Sequence, residues 1–108
     1  MADMGYLAIG STVVISFKAD DHNGNTDLRA ELHPSDAGQK NKVVILPGEE
    51  GRITFDSMPG AEKLHIHVDL PVFGSGVLTV TENGIVKDSS ALENDTNWDY
   101  LLGHSHVS

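Results

Sequence analysis

Hydrophobic and polar residues alternate with period two along most of the chain. In "LHIHVDL" the aliphatic Leu64, Ile66, Val68 and Leu70 interleave with His65, His67 and Asp69. Successive side chains of a strand point to opposite faces, so the aliphatic set lines one face and His-His-Asp the other. "TVVISFK" sets Val13, Ile15 and Phe17 on one face, and "LRAELH" turns Leu28, Ala30 and Leu32 inward against outward Arg29, Glu31 and His33. "GRITFDS" alternates around Ile53 and Phe55, "GVLTVTE" around Leu78 and Val80, and "NWDYLL" around Trp98, Tyr100 and Leu102. "KVVIL" is a nearly continuous β-branched run, the pattern of a strand buried on both faces or near the centre of a core. No window of about eleven residues keeps a 3.6 period. "SSALEND" has room for one helical turn at most.

Between these runs stand "DHNGN", "HPSDAG", "LPGEEG", "SMPGAE", "LPVFGSG" and "ENG", in which Gly, Pro, Asn and Asp supply turn chemistry. Asn83-Gly84 is the strongest hairpin signal, because both residues tolerate the positive φ of a type I′ turn. Short strands at this spacing predict an all-β fold, an antiparallel β-sandwich of about seven to eight strands, jelly-roll or immunoglobulin-like. "RITFDSMPGAEKLHIHVDL" reads as one hairpin, with Asp56 opposite His65, Thr54 opposite His67 and Arg52 opposite Asp69. Such cross-strand pairs contribute roughly 0.2–1 kcal/mol each. A single domain over 1–108 is expected, with 1–5 and 103–108 frayed.

Composition narrows the function classes. Of 108 residues 39% are hydrophobic and 21% charged, ordinary for a globular domain. There is no cysteine, hence no disulfide framework and no thiolate metal site. The formal net charge of −9, from 16 acids against 7 bases, opposes a phosphate backbone and an anionic membrane surface. No apolar run reaches the length of a membrane span, so no membrane insertion is expected. The opening "MADMGYLAIG" lacks the basic flank of a signal peptide, which reads as cytoplasmic if the chain is complete and leaves the compartment unknown otherwise. No nucleophile elbow, zinc-protease helix or phosphate-cradling glycine loop is present, and no carboxylate pair sits among apolar residues. A non-enzymatic role is the expectation.

If every connection reverses strand direction, the loops near 19–27, 47–51, 71–75 and 88–95 share one end of the sandwich. That end collects Asp20, Asp21, Asp27, Glu49, Glu50, Asp88, Glu93 and Asp95, while the opposite end holds Lys40, Lys42 and Lys63. Loops gathered on a rigid scaffold are where binding residues concentrate. Two of the acidic loops carry oxygen donors at every second position: Asp21, Asn23, Asn25 and Asp27, then Asp95, Asn97 and Asp99. Calcium takes about six to eight hard oxygens, which such loops can supply together, although the EF-hand pattern is not met. The same residues equally form Asx-turns. Phe73 in "PVFGSG" places a large apolar side chain in a loop of this end, suited to a sugar ring or a protein partner, or to plugging the sandwich. Trp98 shares a face with Tyr100 and serves either the core or the same apolar contact.

His65 and His67, two apart on one strand face, stand roughly 6.5–7 Å apart at Cα, a spacing that two imidazoles can bridge onto zinc, nickel or copper. "HIH" followed by "GSGVLTVTENG" resembles the first motif of the cupins, small β-barrels in which a His-x-His pair binds a metal. The resemblance implies metal-dependent dioxygenase, isomerase or small-ligand chemistry, with His65 and His67 as ligands. It covers about residues 60–84 only. The glutamate of the motif is replaced by Pro71-Val72-Phe73, and the second cupin motif is missing; His104 is the one later donor.

Three readings stand side by side. One is a binding module whose acidic loop end, with or without calcium, engages a glycan or protein through Phe73 or Trp98. Another is a cupin-like metalloprotein centred on His65 and His67. The third is a self-associating subunit, a homo-oligomer built through exposed strand edges.

Overall fold

The computed structural model describes residues 2–8, 10–21, 24–33, 40–56 and 62–103. Nine strands follow in chain order among the described residues: β1 (Ala2–Ala8), β2 (Val13–Ala19), β3 (Thr26–His33), β4 (Lys40–Ile45), β5 (Glu50–Phe55), β6 (Lys63–Asp69), β7 (Gly76–Glu82), β8 (Ile85–Leu92) and β9 (Thr96–Gly103). They form a five-stranded sheet of order β1-β9-β6-β3-β4 and a four-stranded sheet of order β5-β2-β7-β8. The two sheets bury their aliphatic faces against each other, so the molecule is an all-β sandwich, as the alternation requires. The core holds Val13, Ile15 and Phe17 of β2, Leu28, Ala30 and Leu32 of β3, Leu64, Ile66 and Val68 of β6, and Trp98, Tyr100 and Leu102 of β9.

Three expectations need correction. The described strands number nine, because β1, which begins in the stretch expected to fray, pairs in parallel with β9. Its sequence, "ADMGYLA", alternates little, which is why it escapes a period-two reading. Val43 and Val44 belong to β4, which is an edge strand rather than a central one: Val44 is 53% exposed while Ile45 is buried. Within its limit of one helical turn at most, "SSALEND" makes none, and Ser89 to Leu92 complete β8. Finally, β5 and β6 are not a hairpin. β5 pairs with β2, whereas β6 pairs with β3 and β9 in the other sheet, so Arg52, Thr54 and Asp56 do not oppose Asp69, His67 and His65. Alternation states which face turns inward, and two strands facing each other across a core satisfy it as well as two neighbours do. The hairpin at Asn83-Gly84 forms as expected, with φ of 52° and 83° at its two central residues, the signature of type I′.

A β-bulge in the β7–β8 hairpin decides the fate of one acid. Val80 pairs with Asp88 and Thr81 with Val86, so Lys87 is the extra residue. Opposite residues share a face, and Asp88 therefore turns inward beside buried Val80 rather than joining the acidic loops. There its Oδ2 accepts a hydrogen bond of 2.6 Å from the hydroxyl of Tyr100, which is 0% exposed. The contact links the edge strand of one sheet to an interior strand of the other. An inward charge and a bulge on an edge strand also discourage pairing with another chain.

Burial raises the Tyr100 pKa far above its ordinary value, and the hydrogen bond to Asp88 and that carboxylate's charge raise it further. The tyrosine contributes stability in full below the unfolded value of about 10, and loses it as pH climbs above that value, because only the unfolded chain can release the proton. Denaturant melts at pH 10 and 11 should show wild type losing roughly 1 kcal/mol more than Tyr100→Phe over that unit, since the slope reaches its limit of about 1.4 kcal/mol per unit only well above pH 10. At pH 7 Tyr100→Phe should cost about 1–3 kcal/mol, since it strands the Asp88 carboxylate.

Candidate functional site

The strand pairings give odd-numbered strands one direction and even-numbered strands the other, so residues 20–21, 24–25, 46–49, 70–75 and 93–95 lie at one end of the sandwich. Backbone hydrogen bonds join three of them: Ala19 N–H donates to Glu49 O at 2.9 Å, Asp20 N–H to Ser75 O at 3.0 Å and Gly48 N–H to Asp20 O at 3.2 Å. Two carboxylates complete the junction. Asp20 Oδ2 accepts from the Ser75 hydroxyl at 2.6 Å, and Asp95 Oδ1 accepts from Leu70 N–H at 2.8 Å. The loop between β6 and β7 is thereby held at both shoulders by neighbouring loops.

Between those shoulders the chain makes a tight turn, Pro71 to Gly74, closed by Gly74 N–H donating to Pro71 O at 2.8 Å. Phe73 has φ of 61° while Val72 stays at negative φ, which defines a type II turn with Phe73 at the position that ordinarily falls to glycine or asparagine. A Cβ on Gly74 would stand 2.6–2.9 Å from Pro71 atoms, its carbonyl oxygen among them, and one on Gly24 would stand 2.7 Å from Pro71 Cβ. Pro71 thus packs as a wedge between Gly74 of its own turn and Gly24 of the β2–β3 loop, and only glycine allows both to approach it. What the wedge carries outward is apolar: Val72 is 80% exposed and Phe73 is 94% exposed.

A bulky residue at positive φ costs of order 1–3 kcal/mol and persists only where the surroundings impose it. Phe73 recovers nothing by packing, because nearly all of it faces water. Around the tip the exposed residues Asp20, Asp21, Glu49, Glu50, Asp69, Glu93 and Asp95 give this end a strongly negative field. Against them stands Lys18, whose ammonium donates to Gly48 O at 2.7 Å.

The residues expected to hold calcium scatter among other tasks. Asp21 and Asn25 are exposed in the loop before β3, and Asn23 lies outside the described residues. Asp27 is on β3, 3.6 Å from the Lys42 ammonium. Asp95 caps Leu70, while Asn97 and Asp99 are on the outer face of β9 and hydrogen-bond His67 and His65. Among the described residues no group of three His, Asp or Glu side chains stands where one metal ion could be held. Trp98 is 6% exposed and part of the core, so Phe73 alone can make the expected apolar contact.

His65 and His67 do lie on the outer face of β6, as the alternation requires, but with different neighbours from those expected. His65 sits across from Glu31 on one side and Asp99 on the other; His67 sits across from Arg29 and Asn97. His65 Nδ1 is 2.6 Å from Asp99 Oδ1, and His67 Nδ1 is 2.6 Å from Asn97 Oδ1. Carboxylate and amide oxygens only accept, so both imidazoles donate through Nδ1. The His33 ring stands edge-on to His65, centroids 6.3 Å apart, with His33 Nε2 3.5 Å from Glu31. The array ties β9, β6 and β3 together across the outside of their sheet. His104, the expected later donor, lies outside the described residues.

Sequence reasoning found the acidic end, Phe73 and turn chemistry in "LPVFGSG", and missed the tight turn from Pro71 to Gly74 with Phe73 at positive φ. A faint signal was there: proline followed three residues later by glycine brackets a four-residue turn, and two consecutive apolar residues inside a turn have no core to enter. Comparison with protein-family models, with curated proteins and with solved structures found no match.

Phe73→Gly should remove the backbone strain without losing any packing. Thermal and denaturant melts should show it more stable than wild type by about 0.5–1 kcal/mol, a rise in Tm of a few degrees.

Proposed function

We propose that this protein is a non-enzymatic binding module that engages a protein partner with the Val72–Phe73 turn at its acidic loop end. The observation that carries the reading is Phe73, a phenylalanine 94% exposed to water and held at a φ of 61° by a turn clamped on both shoulders. Exposed aromatic anchors of this kind supply most of the energy of many interfaces, since they bury a large area with few rotors to fix. Pre-organisation by the Pro71 wedge reduces what must be ordered on binding. The flanking carboxylates suit a rim that selects partners by charge and accelerates encounter rather than one that provides affinity. No described helix is long and apolar enough to cross a membrane.

Photo-crosslinking tests the proposal even while the partner is unidentified. With a photoreactive phenylalanine analogue at Val72, cells of the source organism should yield a discrete protein adduct. The same probe in a Phe73→Ser background should lose that adduct at least tenfold while the domain stays folded. Identical adducts with and without Phe73 would reject the reading.

A further inference from the structure

Beside the tip, an open depression of about 430 Å³ lies between the β6–β7 turn and the β8–β9 loop. Leu70, Pro71 and Phe73 line one part of it, and Glu93 and Asp95 another. A second depression of about 330 Å³ shares Phe73 and Glu93 and adds Ser75. Aromatic surface and carboxylate therefore meet twice around one exposed ring. Asp95 has one oxygen engaged, on Leu70 N–H; the described contacts leave Glu93 without a protein partner.

We infer that this depression receives an arginine side chain from a basic segment of the partner. The inference rests on the reading that the Phe73 turn is the contact surface, and it names the chemistry that surface selects. A cation is drawn to the negative face of the phenyl ring and to the two carboxylates at once, so both attractions have the same sign. An apolar side chain would cover the ring but strip water from Glu93 and Asp95 without replacing their hydrogen bonds. An anion meets the field of a chain whose net charge is −9, and a neutral sugar gains nothing from that field. Between the two cationic side chains the site favours arginine. A planar guanidinium stacks flat on a ring while its edge donates to carboxylate, and its methylene stem lies along apolar surface such as that of Leu70 and Pro71. Lysine supplies a point charge without the plane.

The test is an NMR titration of the full ¹⁵N-labelled chain with a short blocked peptide, acetyl-Gly-Leu-Arg-Gly-Ser-amide. The lysine and citrulline forms of the same peptide serve as comparisons. Citrulline keeps the shape of arginine and removes its charge. The arginine peptide should shift amides within 70–75 and 93–95 in a saturable manner, binding at least fivefold more tightly than the citrulline peptide and measurably more tightly than the lysine one. Glu93→Gln should weaken the arginine peptide severalfold and leave the citrulline peptide unchanged. Equal binding of arginine and citrulline peptides, or shifts confined to other parts of the chain, would overturn the inference. If the two peptides bind equally and Phe73→Ser abolishes both, the contact surface survives and only its selectivity is lost. If Phe73→Ser binds every peptide as wild type does, the Phe73 reading falls with it.

Discussion

Two carboxylates determine the shape of the loop end. Asp95 accepts a hydrogen bond from the Leu70 amide and Asp20 one from the Ser75 hydroxyl, so the β6–β7 turn is tied at both shoulders. Without those contacts a turn carrying phenylalanine at positive φ would shift to a less strained shape, because the exposed ring has no packing that holds it. The same contacts close the open end of the sandwich, joining loops from both sheets. Fold and candidate site therefore depend on the same few hydrogen bonds, and the acidity of this end has a structural component before it has a functional one.

How far the fold could be read follows from what period two encodes. Leu28, Ala30 and Leu32, or Leu64, Ile66 and Val68, declare which face is inward, and the structure honours each of them. They do not declare a neighbour. β5 and β6 are consecutive, separated by turn residues and patterned alike, yet they lie in opposite sheets. Loop parity proved more robust than pairing, because a connection that crosses between sheets still reverses direction. Asp88 marks where even parity reasoning stops: a single bulged residue at Lys87 turns an apparent loop acid into a partner of core Tyr100.

For the site, the types of residue were visible and their tasks were not. Aspartate and asparagine at alternate positions suit a cation, an Asx-turn or a cap on a distant backbone amide. Only three-dimensional placement shows that Asp95 serves Leu70 and that Asp99 and Asn97 serve the two histidines. "LHIHVDL" stands in the same position. Its alternation places His65 and His67 on the outside, but the strands beside it had to be known before those rings could be assigned partners. Phe73 was legible as an exposed candidate because no periodic run could absorb it. Its backbone angle was not, since the Pro71–Gly74 bracket marks a turn without stating its type, and the position that takes positive φ ordinarily falls to glycine or asparagine.

At its acidic end the sandwich displays an apolar tip, clamped at both shoulders and set in a negative rim. Rigidity is the part that distinguishes a built contact surface from a loop that happens to contain phenylalanine. Backbone ¹⁵N relaxation of residues 70–75 measures it directly. Order parameters near 0.85, equal to those of β6 and β7, are what the clamped turn requires. Values below about 0.6 at Val72 and Phe73 would show a flexible loop and contradict the claim that the fold imposes this conformation.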